Sequence, residues 1–253
     1  MYPIIFSYKF ITIGTYGVML ASAFYLGLLL GEREFKAKGI NPELAYKLIV
    51  AIIPSAIIGA KIFHILDYFD DFLKNPWEMI FSGSGLSVLG GFTLALLVSI
   101  IIIKKNKENA WKVLDVAALS LSLGYGVGRF GCHISGDGCY GITTSSFLGM
   151  AFPNGIVPTT AEVFPTPLFE SLASLLLLVF LLELRKKNHF PGFIFIVYLF
   201  FYSLSRFLVE FIRRNPKIWL NLSQAQLVSF TFFILSLLGF IYLQKKALKK
   251  GAD

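Results

Sequence analysis

The chain has 253 residues, of which 56% are hydrophobic and 15% are charged, and its formal net charge is +8. A soluble globular domain has about 45 to 50% apolar and about 25% charged residues, so this composition excludes a water-soluble monomer. The basic excess does not indicate a nucleic-acid partner, because the basic residues lie at the ends of apolar segments and do not alternate with aromatic residues on a polar surface.

The apolar residues occur in long runs and not in the alternating segments of about ten residues that a transmembrane β-barrel needs. Three runs lack Asp, Glu, Lys and Arg, and each can cross about 30 Å of hydrocarbon as a helix: 10–31, 85–103 and 222–243. Four further segments contain or adjoin a charged residue: 48–66, 116–128, 163–182 and 190–205. We predict an all-α, polytopic integral membrane protein with seven transmembrane helices, in which the charged residues enclose a shared polar cavity.

The distribution of Lys and Arg predicts the orientation. With seven spans, the first, third and fifth connections share a side with the C-terminus, and these segments contain most of the basic residues. We therefore predict an outside N-terminus, a cytoplasmic C-terminus, a single transmembrane domain over 1–253 and an outward-facing loop over 129–162.

One basic cluster, at the end of the sixth span, departs from this rule and is predicted to lie outside: Arg206, Arg213, Arg214 and Lys217. It suggests an anion site on the outer face. The alternative is that these side chains reach towards lipid phosphates. Arg206 is less easily explained in that way, because it lies inside the span with Glu210 at i+4 on the same helix face.

The glycine-rich stretch 124–141 is the most informative part of the sequence. It combines several reactive groups at the outer mouth of an apolar span: Arg129, Cys132, His133, Asp137, Cys139 and Tyr140. A disulfide between the two cysteines is one alternative on an oxidising outer face. Zinc binding is another, but the spacing is unlike that of usual zinc sites. We predict no metal and no cofactor.

Within this stretch, Gly128-Arg129-Phe130-Gly131 followed by Asp137 and Gly141 resembles the signature loop of the prolipoprotein diacylglyceryl transferase family. Other blocks agree with the family in order, so the resemblance covers nearly the whole chain: Tyr16-Gly17, Gly59-Ala60-Lys61, Gly90-Gly91, 165–170, 206–213 and 222–226. The family's seven helices and outside N-terminus coincide with the topology predicted from charge.

The resemblance implies a multi-pass enzyme of the bacterial plasma (inner) membrane. It would transfer the diacylglyceryl group of phosphatidylglycerol to the lipobox cysteine of a preprolipoprotein as a thioether and release glycerol phosphate, the first step of lipoprotein maturation. Arg129 and Arg206 suit a phosphate clamp, and His133 and Asp137 complete the predicted catalytic set. The predicted substrate-binding residues are Tyr16, Lys61, Gly90, Gly91, Tyr140, Gly141, Glu170, Glu210 and Arg213.

The sequence also departs from the family pattern. Leu89 replaces a common His or Tyr, Cys132 replaces Asn, and Asp137 replaces Glu. Because leucine cannot accept a proton, the general base would be His133, with Asp137 orienting the imidazole, or Asp137 itself, or more distantly His64.

Purely structural roles are the alternatives to these assignments. His133 and Asp137 could only tie the loop, and Glu170 and Lys61 could form a buried ion pair between helices. The alternative functions are a lipid-binding protein or transporter of the same architecture, or transfer to another acceptor. A transporter would be expected to have repeat symmetry, which this sequence lacks.

Overall fold

The computed structural model describes residues 1–9, 11–82 and 85–250. The first residue of the first predicted span, position 10, and positions 251–253 of the predicted domain lie outside the described residues. The fold is mainly helical, with nine helices in the described part: α1 Thr15–Ala37, α2 Glu43–Asp67, α3 Phe69–Lys74, α4 Pro76–Phe81, α5 Val88–Lys105, α6 Ala110–Ser135, α7 Thr166–Leu184, α8 Phe193–Val209 and α9 Gln224–Lys250.

Within the described residues, six helices are long and apolar enough to cross a membrane: α1, α2, α6, α7, α8 with the 3-10 turn Glu210–Ile212, and α9. The remaining predicted span, 85–103, corresponds to α5, a helix of 18 residues. Many large apolar side chains along these helices are exposed, as a lipid-facing surface requires. The prediction of an integral membrane protein built from helices is confirmed in these terms.

The first span begins later than predicted. Ile4–Tyr8 (β1) and Ile11–Gly14 (β2) form an antiparallel hairpin, and α1 starts only at Thr15. The hairpin segment is rich in Ile, Phe, Tyr and Thr, which favour strands. An uncharged run therefore contains two kinds of secondary structure, because absence of charge does not specify the backbone conformation.

Two further antiparallel strand pairs lie in the connections between helices. Met150–Phe152 (β3) pairs with Thr159–Val163 (β4) between α6 and α7. Lys217–Trp219 (β5) pairs with Leu222–Ser223 (β6) before α9.

The helix α6 continues further than the predicted fourth span. It ends at Ser135, so Arg129, Cys132 and His133 lie on its last turns and not in the predicted loop 129–162. Gly136 then adopts a φ of +64°, a left-handed conformation that commonly ends a helix. The glycines at 124, 126, 128 and 131 are helical, and Gly126 and Gly131 permit the close approach of neighbouring side chains.

The chain forms two compact units, one comprising Met1–Gly31 and Leu114–Asp253 and the other comprising Glu32–Val113. Their assignment to one transmembrane domain stays a prediction. In the first unit, Ser122 and Ser174 exchange hydrogen bonds, each hydroxyl donating to the other's backbone carbonyl at 2.8 Å. A Cβ at Gly126 would lie 2.8 Å from the Leu175 side chain. Small residues thus bring α6 and α7 close together.

In the second unit, α2 and α5 pack through glycines. A Cβ at Gly59 would lie 2.4 Å from the Gly90 carbonyl oxygen, and a Cβ at Gly90 would lie 2.3 Å from the Gly59 carbonyl oxygen. A Cβ at Gly91 would lie 2.9 Å from the Ala56 carbonyl oxygen. Gly90 and Gly91 therefore have a role in helix packing, and their predicted contact with substrate stays a prediction.

Candidate active site

Three arginines and two glutamates form a buried charged cluster in the first unit. Glu170, in the second turn of α7, is its centre. The Glu170 carboxylate accepts a hydrogen bond from Arg206 and lies 3.1 Å from Arg129 Nε and 3.2 Å from Arg213 Nη1. The Tyr125 hydroxyl donates a further hydrogen bond of 3.2 Å to this carboxylate. The pairing of Glu170 with Lys61 that we considered stays a prediction.

Glu210, at the end of α8, is the second anion of the cluster and is fully buried. Its carboxylate lies 3.0 Å from Arg206 Nη2 and accepts a hydrogen bond of 2.7 Å from the Ser223 hydroxyl. Asn215 donates a further hydrogen bond to it. The predicted i, i+4 pair of Arg206 and Glu210 is thus confirmed, and it fixes the plane of the guanidinium group.

The cluster carries an excess of positive charge. Its arginine side chains are only 10 to 19% exposed, and the Glu170 and Glu210 side chains are 3% and 0% exposed. Two carboxylates cannot neutralise three guanidinium groups. Charges interact more strongly in a poorly solvated site than in water, so this arrangement favours an additional anion.

Tyr125 is a site residue that the sequence reasoning missed. Its ring lies beneath Arg129, with the guanidinium carbon 5.1 Å from the ring centroid, and its edge meets Tyr202 at 5.2 Å between centroids. The available signal was its position four residues before Arg129 on the same helix, a spacing that places side chains together.

The signature loop is connected by backbone hydrogen bonds to the segment that precedes α7 and to the segment that carries Arg213. The Gly141 amide donates to the Phe164 carbonyl and the Ile142 amide donates to the Ile212 carbonyl, both at 2.8 Å. A Cβ at Gly141 would lie 2.4 Å from the Ile212 carbonyl oxygen. Gly141 therefore has a packing role in placing Arg213, in addition to its predicted role with substrate.

Tyr140 lies in the core of the loop region. It is 3% exposed, stacks on Phe152 with 4.1 Å between centroids and donates a hydrogen bond of 3.1 Å to the Val157 carbonyl. Burial raises the pKa of the Tyr140 hydroxyl. These contacts give Tyr140 a structural role, and its predicted contact with substrate stays a prediction.

His133 lies among aromatic rings and does not pair with Asp137. Its ring is 6.4 Å from that of Phe130 and 5.6 Å from that of Phe152, between centroids. Its Nδ1 atom is buried without a hydrogen-bond partner. Asp137 instead accepts a hydrogen bond of 3.1 Å from the Cys139 amide. The predicted orientation of the imidazole by Asp137 is therefore wrong for this structure, because the tight turn directs the carboxylate to its own backbone.

Cys132 and Cys139 are free thiols, so the disulfide that we considered is not formed. One ligand atom from each of Cys132, Asp137 and Cys139 lies within 4.8 Å of the other two, and these residues could hold a metal ion. Hydrogen bonding with the Cys132 thiol lowers the pKa of the Cys139 thiol below its ordinary value.

The remaining predicted site residues belong to two different parts of the chain. Tyr16 is the second residue of α1 and lies near Gly131 of the signature loop. A Cβ at Gly131 would lie 3.8 Å from the Tyr16 ring and 2.7 Å from Met19 Cβ. In the second unit, Lys61 donates hydrogen bonds to the Ser82 carbonyl at 2.9 Å and to its hydroxyl at 3.2 Å. Leu89 lies at the start of α5 and is exposed.

Comparison with known proteins identifies the family. A family model described as prolipoprotein diacylglyceryl transferase matches residues 3–242. The chain belongs to this family. Membership in the prolipoprotein diacylglyceryl transferase family confirms the resemblance predicted from the signature, and it confirms the prediction of a transferase.

Curated relatives agree with this family. A protein of Clostridium botulinum is 32% identical over 247 residues, which cover 96% of this chain and 96% of the relative. A protein of Bacillus cytotoxicus is 33% identical over 237 residues, or 91% of this chain and 87% of the relative. One of Bacillus cereus is 31% identical over the same length and the same shares. All three are named phosphatidylglycerol–prolipoprotein diacylglyceryl transferase.

Proposed function

We propose that the chain transfers the diacylglyceryl group of phosphatidylglycerol to the lipobox cysteine of a preprolipoprotein. The observation that carries this proposal is the excess of buried guanidinium groups beside the family signature, with Arg129, Arg206 and Arg213 arranged around Glu170. A phospholipid headgroup supplies the anion that the cluster favours. The other partners are the surrounding membrane lipids.

The reaction requires charge stabilisation at a phosphate. The acceptor sulfur forms a bond to the glyceryl carbon while the bond from that carbon to the phosphate oxygen breaks, and glycerol phosphate leaves with the electron pair. Arg129 and Arg206 would hold the phosphate and stabilise the charge that develops on its leaving oxygen. Glu170 and Glu210 keep the guanidinium groups oriented before the substrate binds.

His133 is the proposed acceptor of the thiol proton. It lies one helical turn beyond Arg129, and its buried Nδ1 is not engaged in a hydrogen bond. An imidazole with a reference pKa of about 6.5 is matched to a thiol of about 8.5 near neutral pH. Asp137 is the weaker candidate, because one of its oxygens already accepts a backbone hydrogen bond.

The proposed topology has seven spans, an outside N-terminus and a cytoplasmic C-terminus in the bacterial inner membrane, with the signature loop outside. A reporter enzyme that is active only outside the membrane should work when fused after Gly155 and fail when fused after Lys187. Activity of the Lys187 fusion together with inactivity of the Gly155 fusion would invert the topology.

The transferase proposal is tested with purified protein in lipid nanodiscs containing phosphatidylglycerol that is labelled in its diacylglyceryl group. The substrate is a lipobox peptide, and the matched control is the same peptide with serine in place of cysteine. We expect a thioether-linked labelled product from the cysteine peptide only. Phospholipid binding without any product would instead support the lipid-binding alternative.

A further inference from the structure

Two thiols and a carboxylate converge at the end of α6. Cys132 lies on the last turn of this helix, and Asp137 and Cys139 follow it on either side of Gly138. One ligand atom from each of the three residues lies within 4.8 Å of the other two. The phosphate clamp does not use these three side chains, and the family pattern has Asn where this chain has Cys132.

The surrounding backbone holds this arrangement in place. Gly136 and Gly138 adopt φ angles of +64° and +88°, which L side chains rarely adopt. The Val157 amide donates to the Gly136 carbonyl at 2.9 Å, and a Cβ at Gly138 would lie 3.0 Å from the Val157 side chain. The turn is therefore built into the loop, and it presents Asp137 and Cys139 to the helix end.

We propose that Cys132, Asp137 and Cys139 bind a divalent cation of the zinc class. Two thiolates and a carboxylate are a donor set that Zn²⁺ accepts, and three protein ligands leave the fourth tetrahedral position for water. Two sulfurs bound to one zinc ion at about 2.3 Å are about 3.8 Å apart. The present ligand atoms lie within 4.8 Å of one another, which is close to that spacing. Our sequence-based expectation of no metal relied on spacing along the chain, which does not reveal this turn.

The local charge suits an occupied site. Binding one Zn²⁺ releases one proton from each thiol, and the resulting complex of two thiolates, one carboxylate and the cation carries one net negative charge. Arg129 lies within electrostatic range of both Cys132 and Cys139. Its positive charge balances the net negative charge of the complex, so the bound cation and Arg129 can be present together without net repulsion.

The competing use of two adjacent thiols is a disulfide. A disulfide would engage both sulfur atoms and would leave the Asp137 carboxylate without a role in the cluster. The convergence of all three donors therefore favours a cation.

The test titrates Co²⁺, a spectroscopic substitute for Zn²⁺, into the purified full-length protein after reduction and removal of metal. We expect one Co²⁺ per chain, with thiolate charge-transfer absorption, visible bands typical of tetrahedral cobalt, and the release of two protons. Cys132→Ser and Cys139→Ser should each weaken Co²⁺ binding at least about tenfold. Removing even a residue that only hydrogen-bonds to a metal ligand typically lowers metal affinity by that factor. Asp137→Asn should weaken binding without removing the charge-transfer bands.

Glu162→Gln is the matched control, because Glu162 is an exposed carboxylate on β4 in the same connection. It should bind Co²⁺ as the wild type does. Thermal unfolding without metal checks that each variant is folded, and added Zn²⁺ should raise the unfolding temperature of the wild type but not of Cys139→Ser. The proposal is overturned if the reduced wild type binds no metal, if the serine variants bind equally well, or if mass spectrometry finds a Cys132–Cys139 disulfide and reduction creates no metal site.

Discussion

Two regions use small residues to bring helices together, and they do so for different purposes. In the second unit, Gly59 and Gly90 bring α2 and α5 into backbone contact, and the residues at this crossing are apolar or small. In the first unit, Gly126, Ser122 and Ser174 bring α6 and α7 together, and this approach places Arg129 against Glu170. Close helix packing thus joins two helices in the second unit, whereas in the first unit it also positions charged side chains.

Removing one arginine of the charged cluster should have the largest effect and is the strongest test of the difference between the two regions. Arg206→Ala should lower turnover by about 10² to 10³-fold, the loss typical of removing one preorganised group at a developing charge. Arg206→Lys should not restore full activity, because lysine lacks the bidentate fork. The measurement is initial rate with labelled phosphatidylglycerol and lipobox peptide.

Arg214→Ala is the control for this experiment: Arg214 belongs to the basic cluster predicted from the sequence, but its side chain is exposed in the structure. It should leave turnover unchanged. Wild-type rates in a folded Arg206→Ala protein would show that the charged cluster is structural, as the glycine crossing is.

The proton acceptor gives the next largest effect. His133→Gln should lower the catalytic rate by about 10²-fold, the usual scale for a general base, with little change in phospholipid affinity. Asp137→Asn should have a smaller effect, since Asp137 does not hydrogen-bond to the imidazole. Separate measurements of single-turnover rate and lipid binding distinguish the two roles. If His133→Gln keeps the wild-type rate from pH 6 to 9, a group other than His133 accepts the proton of the substrate thiol.

A larger residue at the contact between Gly59 and Gly90 should lower the stability of the protein. Gly90→Ala should lower the free energy of unfolding by about 1 to 3 kcal/mol, the typical cost of overpacking, because its Cβ would overlap the Gly59 carbonyl oxygen. Gly17→Ala is the matched helical control, since no atom lies within 4 Å of the Cβ that it adds. Thermal unfolding in nanodiscs compares them. Equal stability of both variants would contradict the close approach.

The smallest effect is expected at the serine pair that joins α6 and α7. Ser174→Ala should cost about 0.6 kcal/mol, the average for a hydrogen bond between membrane helices. The coupling between Ser122→Ala and Ser174→Ala, measured in a double-mutant cycle, should be of similar size. Fully additive effects would indicate that the two hydroxyls do not depend on each other.

The sequence predicted the helices better than it predicted their ends. Apolar runs, some of them containing a charged residue, located the long helices, but the hairpin before Thr15 was missed because apolar strands and apolar helices have similar compositions. The extension of α6 to Ser135 was missed for a different reason. The glycines of 124–131 are compatible both with turns and with the close approach of a helix, so the sequence alone does not decide between them. In the structure they are helical, and Gly126 and Gly131 lie close to α7 and α1.

The members of the charged cluster were predicted, but their pairing was not. Arg206 and Glu210 are four residues apart, so helix geometry alone predicts their contact. Glu170 and Arg206 are 36 residues apart, and no periodic pattern relates residues on different helices. The family resemblance supplied the candidates, and the packing of α6, α7 and α8 determined which of them meet.

The backbone bridge between Gly141 and Arg213 joins the arginine cluster to the loop that follows α6. We therefore expect a phosphate that draws Arg213 towards itself also to displace the segment that carries Gly141. Any displacement of that loop by an incoming polypeptide moves the guanidinium group in return. On the proposed function, the phospholipid and the polypeptide would thus be linked through a single pair of extended segments. Thermodynamic reciprocity then requires each to change the affinity of the other by the same factor.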